Sequence, residues 1–501
     1  MTVTDQRLIR DAFVAGTWRA AQSGRRFASV DPSLGQPFAE IAECDADDID
    51  IAVRGAAAAF PAWRALKPLD RGRIMLKLAE RIDAEAEALA ELDVRDSGKP
   101  RALALGDVRG SARYFEYYGT MADKLHGETI PLGDDYVSYT RHEPFGVVAA
   151  IIPWNGPINQ AARSVAPALM MGNAIVAKPA EQTPLSCLEL ARLAFECGVP
   201  ADVFNVVPGF GETAGAALVE HPLVRKVVFT GSVETGRLVA IAAAKRLIPV
   251  TLELGGKSPH IIFDDADLEP AAKGAWLGIN LNTGQICSAG SRLFVHRSVH
   301  DEVVARLEQL NSTLSIGPGA ADCFMGPLAS AEQKEKVEFY LKLAEAEGAT
   351  VRVGGEPLAD LPPGSYTRPA LLTGVTNDMR VAREEIFGPV LVIIPFDTEE
   401  EVIALANDSE YGLVAGLWTR DLSRAHRVAA QLEAGQVYVN EFWAGGVETP
   451  FGGVKNSGYG REKGIAGALD YTYLKTVTLR LRPDPHPLVP PVSPAPSTDS
   501  E

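Results

Sequence analysis

Hydrophobic and polar positions change their rhythm along this chain. Over residues 49–121 apolar positions recur at helical spacing. In 74–91, IMLKLAERIDAEAEALAE, charged and apolar residues fall on opposite faces, which predicts one amphipathic helix. Residues 134–142 read as a strand ahead of Pro144. From 146 onward short apolar runs alternate with helical stretches. The runs lie at 146–153, 174–178, 203–207, 226–229 and 250–254. The helical stretches lie at 158–171, 185–197, 213–220 and 235–245. This alternation predicts parallel βαβ units and a Rossmann-like domain. A second α/β region follows over about 256–455, with strands expected at 292–296, 390–396, 413–418 and 435–440. One more strand is expected at 473–480. The closing stretch RPDPHPLVPPVSPAPSTDSE is rich in Pro and Ser and is expected to be disordered.

Composition narrows the classes. At roughly 150 residues per domain, 501 residues suggest about three domains. Hydrophobic residues at 46% and charged residues at 23% give the balance of a folded globular protein. A formal net charge of -17 argues against nucleic acid or an anionic membrane surface as partner. The five cysteines (Cys44, Cys187, Cys197, Cys287 and Cys323) form no close motif, so neither a disulfide framework nor a metal site is expected. The polar N-terminus and the lack of a long apolar run predict no signal peptide and no membrane span. A cytoplasmic location is expected.

Several residues could carry chemistry. Cys287 sits in NTGQICSAGSR, where Gly284 and Gly290 would let a carbonyl approach the backbone. As a thiolate it would be a nucleophile; as a thiol it is a small buried hydrophobe. Asn155, in IIPWNGP, follows a buried strand and precedes a helix. Its amide could meet a developing oxyanion or simply make a turn or cap. Glu253 ends the strand VTLEL before two glycines, as a general base or as an ordinary surface acid. In FTGSVETG, Gly231 allows a tight turn, Gly236 allows close packing, and Ser232 could face an anion at a helix N-terminus. Lys178 and Glu181 follow the second strand of the βαβ region, at the end where nucleotides bind. A glutamate there can hold ribose hydroxyls and would repel a 2'-phosphate, favouring NAD over NADP; the alternative is a loop ion pair.

Together these segments resemble the aldehyde dehydrogenase superfamily. The motifs run in order over about residues 11–481: PWN, GNAIVAKPAEQTP, FTGS, LELGGKSP, NTGQICSAGSR, EEIFGPV and PFGGVKNSGYGRE. The resemblance implies an α/β fold with a discontinuous NAD-binding domain at 1–122 and 145–255 and a catalytic domain at 256–469. It implies a small oligomerisation flap from 123–144 and 470–482, leaving 483–501 as the tail. It gives Cys287 the role of nucleophile, Glu253 that of general base, and Asn155, with the Cys287 N–H, that of oxyanion hole. Glu462 is implied as a proton relay. Trp154, Lys178, Glu181, Gly231, Ser232, Gly236, Leu254, Glu385 and Phe387 are implied around the cofactor.

The implied reaction oxidises an aldehyde to the acid through a thiohemiacetal and a thioester hydrolysed by water. A branch of the family that acylates coenzyme A lacks the glutamate found here as Glu253, and a crystallin-like relative could dispense with all three catalytic groups. The resemblance also implies a homodimer or homotetramer. Gly156, Gln160, Arg163, Phe442 and Trp443 are implied to line the substrate funnel, with Gly156 replacing a bulky aromatic of many relatives. Arg163 falls where semialdehyde-oxidising relatives bind a carboxylate, although the second arginine of succinic-semialdehyde enzymes corresponds to Leu281. A neighbouring acid is the other partner it could take. A polar aldehyde or a semialdehyde is the expected substrate.

Overall fold

The computed structural model describes residues 8–355, 358, 360–481 and 488. The expected βαβ alternation is present. Its sheet has eight strands in the order Gly458–Tyr459, Val250–Glu253, Val224–Thr230, Val147–Ile152, Ala174–Pro179, Phe204–Val206, Ala12–Val14, Thr17–Arg19. The five central strands are parallel, and the flanking ones close the sheet antiparallel. The five read as apolar runs because helices such as Pro157–Met170 and Leu185–Cys197 cover them.

The strand order carries the main consequence. From Val147–Ile152 the chain builds outward to one side, then returns to add Val224–Thr230 and Val250–Glu253 on the other. The order therefore reverses between Val147–Ile152 and Val224–Thr230, and a crevice opens at the carboxyl ends of such a pair. Trp154–Asn155 and Gly231–Ser232 leave the sheet from these two strands.

A seven-stranded sheet holds Thr350–Val353, Ala370–Thr373, Val390–Phe396, Arg292–His296, Pro259–Ile262, Val414–Trp418 and Gln436–Val439 in that order. It is parallel except for its first pair. A third, antiparallel sheet joins Thr472–Arg480 to Tyr136–Pro144 and Thr129–Ile130. The N-terminal strands Leu8–Arg10, Arg26–Asp31 and Gln36–Ala42 form another small sheet, one the residue pattern did not suggest.

Two local expectations need correction. The single helix over 74–91 is two, Pro68–Ala84 and Ala86–Ser97, parted at Glu85. No glycine or proline marks the break. Met75, Leu78 and Ile82 before it, and Ala86, Leu89 and Ala90 after it, enter one core, while the Glu85 carboxylate pairs with Arg81 at 2.5 Å and Arg192 at 3.1 Å. The helix expected over 213–220 begins as a π turn, Gly211–Gly215, before Ala216–Glu220. The tail at 483–501 lies outside the described residues, Leu488 apart. Among the described residues no helix is long and apolar enough to cross a membrane.

Candidate active site

The strand Val147–Ile152 is almost wholly buried and ends in Pro153, which releases Trp154 and Asn155 over the strand ends. The Asn155 carbonyl accepts from Lys99 Nζ at 3.1 Å and from Asn282 Nδ2 at 2.9 Å. Its own side-chain Nδ2 donates to the Gln285 carbonyl at 3.0 Å. The turn bearing Asn155 is thus stitched to the loop bearing Cys287.

That loop is strained and firmly tied. Asn282, Thr283 and Gly284 take left-handed φ values of 51°, 58° and 71°. Each such non-glycine residue costs about 1–3 kcal/mol. Thr283 Oγ1 donates to the Gly326 carbonyl at 3.0 Å, and Gln285 Oε1 accepts from Ala329 N at 2.9 Å. A Cβ at Gly284 would overlap the Gly388 carbonyl, so no other residue fits there. The result holds Cys287 in the lining of a cleft of about 190 Å³.

Nine of the expected site residues line this cleft: Trp154, Asn155, Gly231, Ser232, Glu253, Leu254, Cys287, Glu385 and Phe387. Pro153, Thr230, Gly255, Gln333 and Lys336 complete the lining, and sequence reasoning missed them. Gln333 and Lys336 lie on the helix Ala331–Ala346, whose charge-rich sequence reads only as a solvated face. Gln333 Nε2 donates to the Ile386 and Phe387 carbonyls at 3.0 and 2.8 Å. It thereby secures Phe387, whose φ is 61° and whose ring meets Trp154 edge-on at 5.2 Å. Glu385 Oε1 accepts from Gly256 N at 2.9 Å, and a Cβ at Gly255 would overlap the same carboxylate. Ser232 caps the helix Val233–Lys245 by accepting from Thr235 N at 3.2 Å. Gly236 sits behind, where a Cβ would press on Leu254.

Lys178 and Glu181 stand one strand away, outside the cleft lining. The Lys178 ammonium is buried, donates to the Gly209 carbonyl at 2.7 Å and pairs with Glu181 at 3.3 Å.

Charge also gathers around Cys287. Glu253 is 2% exposed, and neither of its carboxyl oxygens has a hydrogen-bond partner. Burial, then the charge of Glu462, pushes this carboxyl well above the usual range, against the pull of Arg163 and Arg461. Glu462 is held by a two-way backbone bridge to Phe451, with N···O distances of 2.7 and 2.8 Å. Burial raises its carboxyl too, and Arg163 opposes this. Burial pushes the Cys287 thiol up to about 12; Arg163 pulls it down, and Glu253, Glu385 and Glu462 push it up further.

Arg163 itself forms a buried ion pair with Glu462 and lies 4.4 Å over the Phe451 ring. Of its two readings, substrate partner or partner of a neighbouring acid, this geometry is the second.

Phe442 and Phe451 join Tyr438, Leu413 and Val414 in an apolar cluster against which Cys287 and Trp443 pack. Trp443 Nε1 donates to Ser288 Oγ at 3.3 Å. Gly156 and Gln160 are neighbours, since a Cβ on Gly156 would stand 3.5 Å from Gln160 Cγ. None of the five funnel residues lines the cleft.

A cleft at the switch point of a parallel sheet, with a thiol and a carboxyl in its lining, defines the class first: an α/β enzyme rather than a binding module. Within that class the chain belongs to the aldehyde dehydrogenase family, whose model matches residues 18–477. It is 44% identical to the mitochondrial aldehyde dehydrogenase of Rattus norvegicus, over 94% of this chain and 91% of that protein. It is 43% identical to retinal dehydrogenase 2 of Homo sapiens, with the same coverage. The NAD+ complex of aldehyde dehydrogenase from Bacillus cereus superposes with a TM-score of 0.93 at 44% identity, covering 95% of this chain and 97% of that one.

Proposed function

We propose that the protein oxidises an aldehyde to the carboxylic acid with NAD, by covalent catalysis at Cys287. The observation that carries this reading is that one cleft gathers Cys287, Asn155 and Glu253. The cleft suits a dinucleotide. A helix N-terminus capped by Ser232 opens on it as an anion site. Trp154, Leu254, Glu385 and Phe387 would hold the cofactor, with Lys178 and Glu181 beyond. Bound NAD supplies the hydride acceptor.

The chain's own groups do the rest. Cys287 loses its proton to solvent water and its sulfur bonds to the aldehyde carbon, placing negative charge on the former carbonyl oxygen. An amide carries two N–H groups. Gln285 takes one from Asn155, and the other, with the Cys287 N–H, receives that oxygen. Loss of hydride from the same carbon leaves a thioester. Glu253, whose buried carboxylate binds a proton more tightly than an exposed one, removes a proton from water. The hydroxide adds to the thioester, the C–S bond breaks, the acid leaves, and the proton passes from Glu253 towards Glu462.

The substrate we favour bears a polar, uncharged group, because Gln160 offers an amide beside Gly156 while Arg163 is already neutralised by Glu462. We assign the exposed edge of the small sheet, with Tyr473, Leu474 and Leu479, to pairing with a second copy. Five free cysteines suit a reducing cytoplasm. The test is incubation with propanal and NAD or NADP, with and without coenzyme A. Reduced nicotinamide and propanoate should form with NAD and need no coenzyme A. An absolute requirement for coenzyme A, or no reduction at all, would overturn the reading.

A further inference from the structure

The turn that carries Asn155 is gripped from behind by a segment with no part in the steps above. Helix Ala86–Ser97 ends at Gly98, whose left-handed φ of 74° turns the chain back. Lys99 follows and is 3% exposed. Its ammonium pairs with Asp107 and donates to the Asn155 carbonyl at 3.1 Å. Asp107 uses its own backbone carbonyl to accept from Asn159 Nδ2 at 3.2 Å. From the helix before Lys99, Asp93 is fully buried beside the Ile158 N–H, in the first turn of the helix that follows Asn155. Lys99 thus grips the Asn155 turn from a stretch whose Asp93 lies beside the start of the next helix.

Lysines are rarely buried to this degree unless paired. Here the ammonium is paired with Asp107 and donates as well to a peptide carbonyl. The carbonyl and the side-chain amide belong to the same residue. Fixing the first, through Lys99 and Asn282, fixes where the second projects towards Gln285 and the Cys287 loop.

We propose that Lys99 is a positioning residue for the reaction. It sets where the Asn155 amide stands relative to Cys287, and so how well the oxyanion is stabilised, without touching substrate or cofactor. This rests on the role given to Asn155 above.

The test uses the full chain with Lys99→Met, Lys99→Arg, Asp107→Asn, Asn155→Ala and the Lys99→Met/Asn155→Ala pair. The readouts are kcat and KM for propanal, NAD affinity by quenching of tryptophan fluorescence, and melting temperature. Lys99→Met should lower kcat about 10- to 100-fold, as misplacement of a reacting group does. NAD affinity should stay within about twofold, the mark of an effect on the transition state alone. Lys99→Arg should recover most of the loss, and Asp107→Asn should shift kcat the same way. The double variant should be no slower than Asn155→Ala alone, because both changes remove one unit.

Equal losses from Lys99→Met in the two backgrounds, or a loss of NAD affinity that accounts for the rate, would overturn the proposal. If Lys99→Met does not fold, Asp107→Asn takes its place in the same cycle, with the same two outcomes. If Asn155→Ala keeps full kcat, the oxyanion reading fails and this proposal falls with it. If Asn155→Ala is slow while Lys99→Met and Asp107→Asn are not, this proposal alone fails.

Discussion

Two sets of residues act on Cys287, two walls held in different ways. The wall of Trp154, Asn155, Glu385 and Phe387 is tied down by hydrogen bonds: Asn155 to Gln285, Glu385 to Gly256, and the Phe387 carbonyl to Gln333. The wall of Glu253, Glu462 and Arg163 is charge in the dark. Neither carboxyl oxygen of Glu253 has a hydrogen-bond partner, and Arg163, paired with Glu462, also acts on Glu253 and Cys287. Fixed dipoles can stabilise charge that develops at one point. Carboxyls raised by burial are suited to taking and passing protons. The first wall is therefore fit for the oxyanion and the cofactor, the second for deacylation.

The largest expected effect removes what the walls share. Cys287→Ala should reduce turnover on the order of 10⁴-fold or more, the scale seen when a covalent nucleophile is lost. Steady-state formation of reduced nicotinamide measures it. On the tied wall, Asn155→Ala should cost about 10²–10³-fold in kcat, as for one oxyanion donor. A full kcat would move the oxyanion elsewhere. Gly255→Ala drives a methyl into Glu385 and should slow the NAD-linked rate about 10-fold by misplacing that carboxylate. An unchanged rate would detach Glu385 from the cleft's work.

The charged wall should show itself against pH. Glu253 accepts a proton only when ionised, and burial raises its pKa. The active form is therefore lost, as pH falls, well above the range of an exposed glutamate near about 4.3. The acid limb of kcat should be displaced upward accordingly. Alkylation of Cys287 by iodoacetamide in the free enzyme should keep rising past neutral pH, since its thiol is pushed up to about 12. The smallest effect is one of selectivity. Because Arg163 belongs to Glu462, Arg163→Ala should change kcat/KM for propanal and for a semialdehyde alike, within about twofold of each other. A loss confined to the semialdehyde would return Arg163 to the substrate.

How much of this could be read beforehand follows from locality. The βαβ region was legible because each strand is an apolar run between helical stretches, as with Leu185–Cys197, whose bounds match expectation. The motifs around Trp154, Asn155, Gly231, Ser232, Glu253, Cys287, Glu385 and Phe387 made legible which residues line the cleft. The break at Glu85 was not, because the shared core that both helices enter and the Glu85–Arg192 pair exist only once the chain has folded. Neither was Lys99: nothing in DSGKP announces that its ammonium meets a carbonyl 56 residues on. Arg163 was legible as a charge near the site but not as the partner of Glu462, which lies far along the chain.

The division of labour between the walls is tested most directly by rapid mixing of Glu253→Gln with NAD and an aldehyde. If Glu253 serves hydrolysis, reduced nicotinamide should appear in a burst approaching one equivalent per active site, followed by a much slower steady rate as the thioester accumulates. A uniformly slow reaction with no burst would contradict this. It would place Glu253 in the attack on the aldehyde instead.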